Sequence, residues 1–178
     1  MELKQFYGTR TENSKDNWET PQKIIDLLEK DLGVKFTLDP SCSKENRKAP
    51  NYYTKEENGL LQNWKGNIVF CNPPYDIISK WVRKCYREGN KPKTLVALLI
   101  PARVDTQYFH RFCMKAFRLY LVKGRINFEI NGKSEGSNNH PSCIVIFRKH
   151  ERDNPQLRQF LHKEKDLLKE KCSLEEFI

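Results

Sequence analysis

No pair of cysteines in this chain forms a C-x-x-C step, and its four histidines stand at no spacing that suits a metal. The six cysteines (Cys42, Cys71, Cys85, Cys113, Cys143 and Cys172) are therefore expected to be buried free thiols in a reducing cytoplasm, not disulfides or zinc ligands. No apolar run approaches the length of a membrane span, so a soluble protein is expected. The N-terminus is polar and has no apolar core segment, which argues against a signal peptide. Internal repeats and low-complexity tracts are missing too. Acidic residues are in the minority, 23 against 32 lysines and arginines, and the net charge of +9 points to a polyanionic partner. At 178 residues the chain is long enough for one domain with a substantial core.

What is present centres on Asn72-Pro73-Pro74-Tyr75. Before it, Asn67 to Cys71 is a short apolar run that predicts a buried strand. After it, Ile77, Ile78, Trp81, Val82 and Cys85 recur at helical spacing. The four residues thus form a strand-to-helix turn, where open α/β sheets bind their ligands. Two prolines fix φ and carry no N–H, so the turn shows carbonyls without competing donors. Asn72, preceding a proline, is held extended. Its side-chain oxygen and the Pro73 carbonyl suit the two hydrogens of a planar amino group, and Tyr75 offers a flat face for a ring. Such hydrogen bonds strengthen as the nitrogen turns tetrahedral while attacking a methyl group. The plainer alternative is a structural Pro-Pro turn.

Taken in order, residues 1–17 form a polar arm, 18–150 the domain and 151–178 a charged C-terminal helix. Thr20 is placed to cap a helix opening at Pro21, with Ile24, Ile25, Leu28 and Leu32 as its apolar stripe and Gly33 as its stop. Val34 to Leu38 predicts a first strand ending at Asp39-Pro40, followed by the small Ser41-Cys42-Ser43. A carboxylate there suits an ammonium or a hydroxyl-rich cofactor, and equally an Asx-type turn. Asn51 to Thr54, Thr94 to Ile100, Arg118 to Val122, Ile126 to Ile130 and Ser142 to Arg148 predict further strands, with Lys133 to Pro141 as a polar loop. Asp105 or Thr106 caps a helix whose Phe109, Phe112, Cys113 and Ala116 face the core, and Asn154-Pro155 starts the terminal helix with Leu157 and Phe160 on one side. Lys80, Arg83, Lys84 and Arg87 make a basic face on the helix after Tyr75, extended by Lys91 and Lys93; this suits phosphates or is simply solvated. The alternation of helices and buried strands predicts a three-layer α/β sandwich, mostly parallel, closed by an antiparallel pair.

Several motifs in this order resemble the phage-type DNA N6-adenine methyltransferases: Trp18-Glu19-Thr20-Pro21, Leu38-Asp39-Pro40, Asn58-Gly59-Leu60 with Trp64, and Asn72-Pro73-Pro74-Tyr75. Pro101-Ala102-Arg103 with Thr106, Phe109 and His110, then Gly124-Arg125-Ile126 with Phe128, continue the likeness to residue 148. The resemblance implies a Rossmann-like methyltransferase fold, S-adenosylmethionine as donor, DNA as partner and a cytoplasmic place in a bacterium or phage-infected cell. It would have Asn72 and Pro73 hold the adenine amino group, Pro74 complete the turn and Tyr75 stack on a flipped base. Asp39, with Pro40 and Ser41, would meet the methionine end of the cofactor. Trp18, Thr20 and Pro21 match the family's N-terminal cofactor-side motif, and Asn58 falls where an acidic residue usually contacts the cofactor's adenine. Arg103, Arg125 and Asn139 would join the DNA contacts.

The resemblance implies direct transfer to N6, with the proton leaving afterwards, which agrees with a signature free of His, Asp and Glu. The Asn-Pro-Pro-Tyr signature by itself is shared with enzymes that methylate cytosine N4, RNA adenine or protein glutamine, and a non-catalytic nucleic-acid-binding relic stays open as well. No recognition domain fits between Asp39 and Asn72, so a short or relaxed adenine context is expected, with Lys133, Asn138, Asn139 and His140 as candidate base contacts.

Overall fold

The computed structural model describes residues 19–130, 133–137, 140–150 and 155–160. Among these residues three α-helices occur: α1 (Gln22–Leu32), α2 (Ile78–Gly89) and the short α3 (Gln107–Arg111). The strands are β1 (Leu38–Asp39), β2 (Asn51–Tyr52), β3 (Ile68–Cys71), β4 (Leu95–Pro101), β5 (Arg118–Val122), β6 (Asn127–Ile130), β7 (Lys133–Ser137), β8 (Ser142–Arg148) and β9 (Gln156–Phe160). Seven form one sheet in the order β2-β1-β3-β4-β8-β5-β9, and β6 and β7 pair as a separate ribbon. All pairs in the main sheet are parallel except those of β8, which runs antiparallel between β4 and β5.

Burial on both faces explains why the central strands are continuous apolar runs. Along β4, Val96, Leu98 and Ile100 join one core with Trp81, Val82, Cys85 and Phe109 of the α2–α3 layer. Leu95, Ala97 and Leu99 point the other way, into a second core with Ile24, Ile25 and Leu28 of α1, with Ile126 and with Phe128 of the ribbon strand β6. The expected three-layer, mostly parallel Rossmann-like sandwich is therefore what forms. Cys71, Cys85, Cys113 and Cys143 are buried free thiols within it, and Cys42 is half-buried.

Four local expectations are corrected. The first strand begins later than Val34, because the Phe36 amide donates to the buried Glu29 carboxylate at 2.8 Å and only Leu38–Asp39 enters the sheet. Thr20 does not cap α1: the N-cap is Pro21, without a side-chain bond. Lys133–Ser137 is a strand, not a polar loop; its pairing with β6 is made by backbone groups and needs no apolar alternation. Finally, Gln156–Phe160 is no helix but a strand parallel to β5. A helix would have put Leu157 and Phe160 on one face, whereas a strand separates them. Phe160 is buried edge-on against Tyr120 at 5.8 Å, and Leu157 is 62% exposed. The open edge of β5 supplied backbone partners that residues 156–160 could not reveal alone. The arm before residue 18, Trp18 itself, Asn138, Asn139 and the remainder of the expected terminal helix lie outside the described residues.

Candidate active site

β1 and β3 are neighbours, with Leu38 opposite Val69, so their carboxyl ends deliver Asp39 and Asn72 side by side. The crevice there is lined by Glu19, Thr20, Asp39, Ser41, Cys42, Asn46, Lys48, Phe70 and Asn72. Thr20, Asp39, Ser41 and Asn72 were all expected at such a site, and they converge from three separate stretches of chain.

Asp39 is 3% exposed. Its carboxylate accepts from the Ser41 amide at 3.3 Å and from the Lys48 amide at 3.1 Å, so the Asx turn and the buried, pocket-facing carboxylate are one arrangement. Burial pushes its carboxyl up to about 6, against the pull of those two amides. The loop after Asp39 holds no glycine and needs none. Among the described residues the non-glycine positions with positive φ are Asn58 and Lys93, so Ser41-Cys42-Ser43 turns without left-handed backbone. Instead their small side chains pack inward, Ser41 Oγ meeting Cys71 Sγ at 3.4 Å.

Asn72 is half-buried between the end of β3 and the prolines. Pro73 and Pro74 are buried; Pro74 (φ −58°, ψ 137°) leads into a 3-10 turn over Tyr75–Ile77, from which α2 starts. The Asn72 amide nitrogen donates to Thr20 Oγ1 at 3.2 Å. That bond turns the oxygen end of the amide away from Thr20. Thr20 is 2% exposed, and the residue before it is fastened by a two-way backbone bridge, Glu19 to Glu129 of β6, at 2.8 and 3.0 Å. The hydroxyl expected to cap a helix thus orients the central amide.

Asn58 does not line this crevice. It sits buried at the start of the Asn58-Gly59 turn with φ 54°, a conformation asparagine tolerates better than most residues. A Cβ on Gly59 would lie 2.0 Å from the Pro40 carbonyl oxygen, and the Trp64 indole N–H donates to Gly59 O at 3.0 Å. This motif therefore packs against the turn that follows Asp39.

The basic face divides in two. Arg83 and Arg87 are exposed, as are Lys80 and Lys93, but Lys84 is not part of it. Its ammonium bonds Glu88 at 2.9 Å and Gln62 O at 2.5 Å and lies over the Trp64 ring. Glu88, 4% exposed, also accepts from Lys91 and from the Trp64 amide. Burial alone would raise the Glu88 carboxyl; the bonds from Lys91, Lys84 and Trp64 outweigh it and hold the group below the usual carboxylate range. Helical spacing could not separate Lys84 from its neighbours, since its partner Trp64 comes from another segment. Arg103 and Arg125 are exposed and stand outside the crevice.

The sequence model of the family described as DNA N-6-adenine-methyltransferase (Dam) matches residues 8–173. The chain belongs to that family. Within it, the DNA N-6-adenine-methyltransferase of Haemophilus phage HP1 (strain HP1c1) is 29% identical over 138 residues, covering 76% of this chain and 80% of that protein. The enzyme of the same description from Escherichia phage T1 is 28% identical over 164 residues, covering 82% and 68%. A crystal structure of a predicted O-methyltransferase from Agrobacterium tumefaciens covers 79% of this chain at 16% identity, with a TM-score of 0.36, too slight a likeness to build on. Membership makes the chain a DNA adenine-N6 methyltransferase. Residues missed in the sequence are Asn46 and Lys48, which close the crevice from a loop with no periodic signal.

Proposed function

We propose that the chain transfers the methyl group of S-adenosylmethionine to N6 of an adenine turned out of a DNA duplex. The observation that carries this is the meeting of buried Asp39 with Asn72 in one crevice at adjacent strand ends, Asn72 being oriented by Thr20. Among the lining groups, the Asp39 carboxylate, the Thr20 and Ser41 hydroxyls and the Asn72 amide suit an ammonium and a polar, hydroxyl-bearing ligand end. When bound, S-adenosylmethionine supplies an electrophilic sulfonium methyl group.

The chain's own residues do the rest. Asp39 accepts the cofactor's ammonium, and Thr20 and Ser41 line the same wall. Asn72 Oδ1 and the Pro73 carbonyl each accept one N6 hydrogen, and the pull strengthens as the nitrogen becomes tetrahedral. Pro74 keeps the turn free of a competing N–H, and Tyr75 stacks on the adenine ring. Turning the base out costs a few kcal/mol, which the stack and the two hydrogen bonds offset. The N6 proton leaves after attack, so no histidine or carboxylate is required beside the amine.

The test is methyl transfer from labelled S-adenosylmethionine to duplex DNA, followed by nucleoside analysis. N6-methyladenine is expected, reduced by roughly 10²–10³-fold in Asn72→Ala while cofactor binding persists. Label found only in RNA or on glutamine, or near-normal turnover in the variant, overturns the reading.

A further inference from the structure

α2 and α3 leave a groove between them on one layer of the sandwich, lined by Ser79, Lys80 and Arg83 of α2 and by Gln107, Tyr108 and Arg111 of α3. It begins beside the Asn72 turn: Ser79 lies one helical turn beyond Tyr75, and α3 follows the carboxyl end of β4, the strand next to β3. Three cations converge on it from two helices and no carboxylate lines it. Among the described residues, Arg83 and Arg111 enter no ion pair. The contrast with Lys84 and Lys91, both held on the buried Glu88, is informative. Charges facing the interior are neutralised from within, and Arg83 and Arg111, facing the groove, are left to an outside partner. Arginine's planar fork suits phosphate oxygens.

We propose that this groove holds backbone phosphates of the DNA strand that carries the target adenine, with Arg83 and Arg111 as anchors and Lys80 nearest the Asn72 turn. The choice of DNA as occupant rests on the function proposed above, and on the family's substrate. The spacing agrees. At a rise of about 2 Å per residue in the 3-10 turn and about 1.5 Å in α2, Lys80 and Arg83 stand roughly 9 and 14 Å beyond Tyr75. A strand rising about 3.4 Å per nucleotide crosses that in two to four nucleotides. Arg111, absent from the helix face that Lys80 and Arg83 share, is the residue that makes a flat patch into a two-sided channel.

The experiment is a salt series of binding to random-sequence duplex DNA by the full chain. Three proteins are compared: the wild type, Arg83→Gln with Arg111→Gln, and a control, Lys23→Gln with Lys30→Gln, which removes the same charge from the exposed side of α1 on the opposite layer. The groove variant should lose about 1.8 from the slope of log affinity against log salt, so its loss of affinity between 50 and 200 mM salt should be roughly tenfold smaller than the wild type's. The control should keep the wild-type slope, and both variants should bind S-adenosylmethionine unchanged. An unchanged slope in the groove variant, or an equal loss in both variants, overturns the proposal even if the wild type methylates DNA. A larger effect on RNA than on DNA overturns the occupant. Failure of methyl transfer with the slope change intact would strike the proposed function and leave the groove standing.

Discussion

Thr20 and Asn72, 52 positions apart, share a hydrogen bond of 3.2 Å in which the amide of Asn72 donates to the hydroxyl of Thr20. It fixes which end of the amide faces the crevice. Thr20→Val keeps the β-branched shape and removes the acceptor. The rate of methyl transfer in a single turnover should fall roughly 10- to 100-fold, because a slightly misplaced reacting group is costly. Thr20→Ser should restore most of it. A lowered melting temperature with an unchanged rate would reduce Thr20 to a packing residue.

If Asp39 holds the cofactor's ammonium, stability and cofactor binding should move in opposite directions with pH. Its folded-state pKa, about 6, lies above the ordinary 3.8, so between these values the folded chain holds a proton that the unfolded chain has released. Its contribution to stability is therefore fully present below about pH 4 and lost as pH rises through 6, a difference on the order of 3 kcal/mol. Holding an ammonium needs the charged form. Affinity for S-adenosylmethionine should be flat above pH 7 and fall about tenfold per unit below 6. Asp39→Asn should bind weakly at every pH. Equilibrium binding from pH 5 to 8 checks this, and a flat profile in the unmodified protein would show that Asp39 does not meet the ammonium.

Gly59 is the contact through which the Asn58 turn supports the Asp39 turn. In Gly59→Ala the new methyl would meet the Pro40 carbonyl oxygen at 2.0 Å, and neither backbone can yield without moving the strand end. A loss of about 1–3 kcal/mol is expected from the denaturation midpoint. Cofactor affinity should drop with it, since Pro40 adjoins Asp39. Full stability in the variant would mean the two turns are not coupled.

Lys84 is a structural charge on the helix whose other cations are proposed to meet DNA. Its side chain is 16% exposed and its ammonium serves Glu88 and Gln62. Lys84→Met keeps the stem over Trp64 and removes the charge. It should cost about 1–2 kcal/mol of stability, as lost hydrogen bonds to a charged group usually do. The salt slope of DNA binding should stay unchanged. A slope lowered by about 1 would return Lys84 to the DNA-facing surface.

What the sequence by itself determined are the elements whose cause is local. β3, β4 and β8 are written as apolar runs because both their faces are buried, and α1 as a stripe closed by Gly33, whose φ of 67° no branched residue would accept easily. The Asn72-Pro73-Pro74-Tyr75 turn was legible for the same reason, since prolines impose their geometry on adjacent residues. Tertiary structure decided whatever depends on a partner far along the chain. Only folding brought the Thr20 hydroxyl to Asn72 instead of to its own helix, gave residues 156–160 the edge of β5, and drew Lys84 onto the Gln62 carbonyl while bringing Arg111 opposite Arg83. A hydroxyl, a strand edge or a cation carries no mark of its partner; which one it meets is settled by how the layers pack.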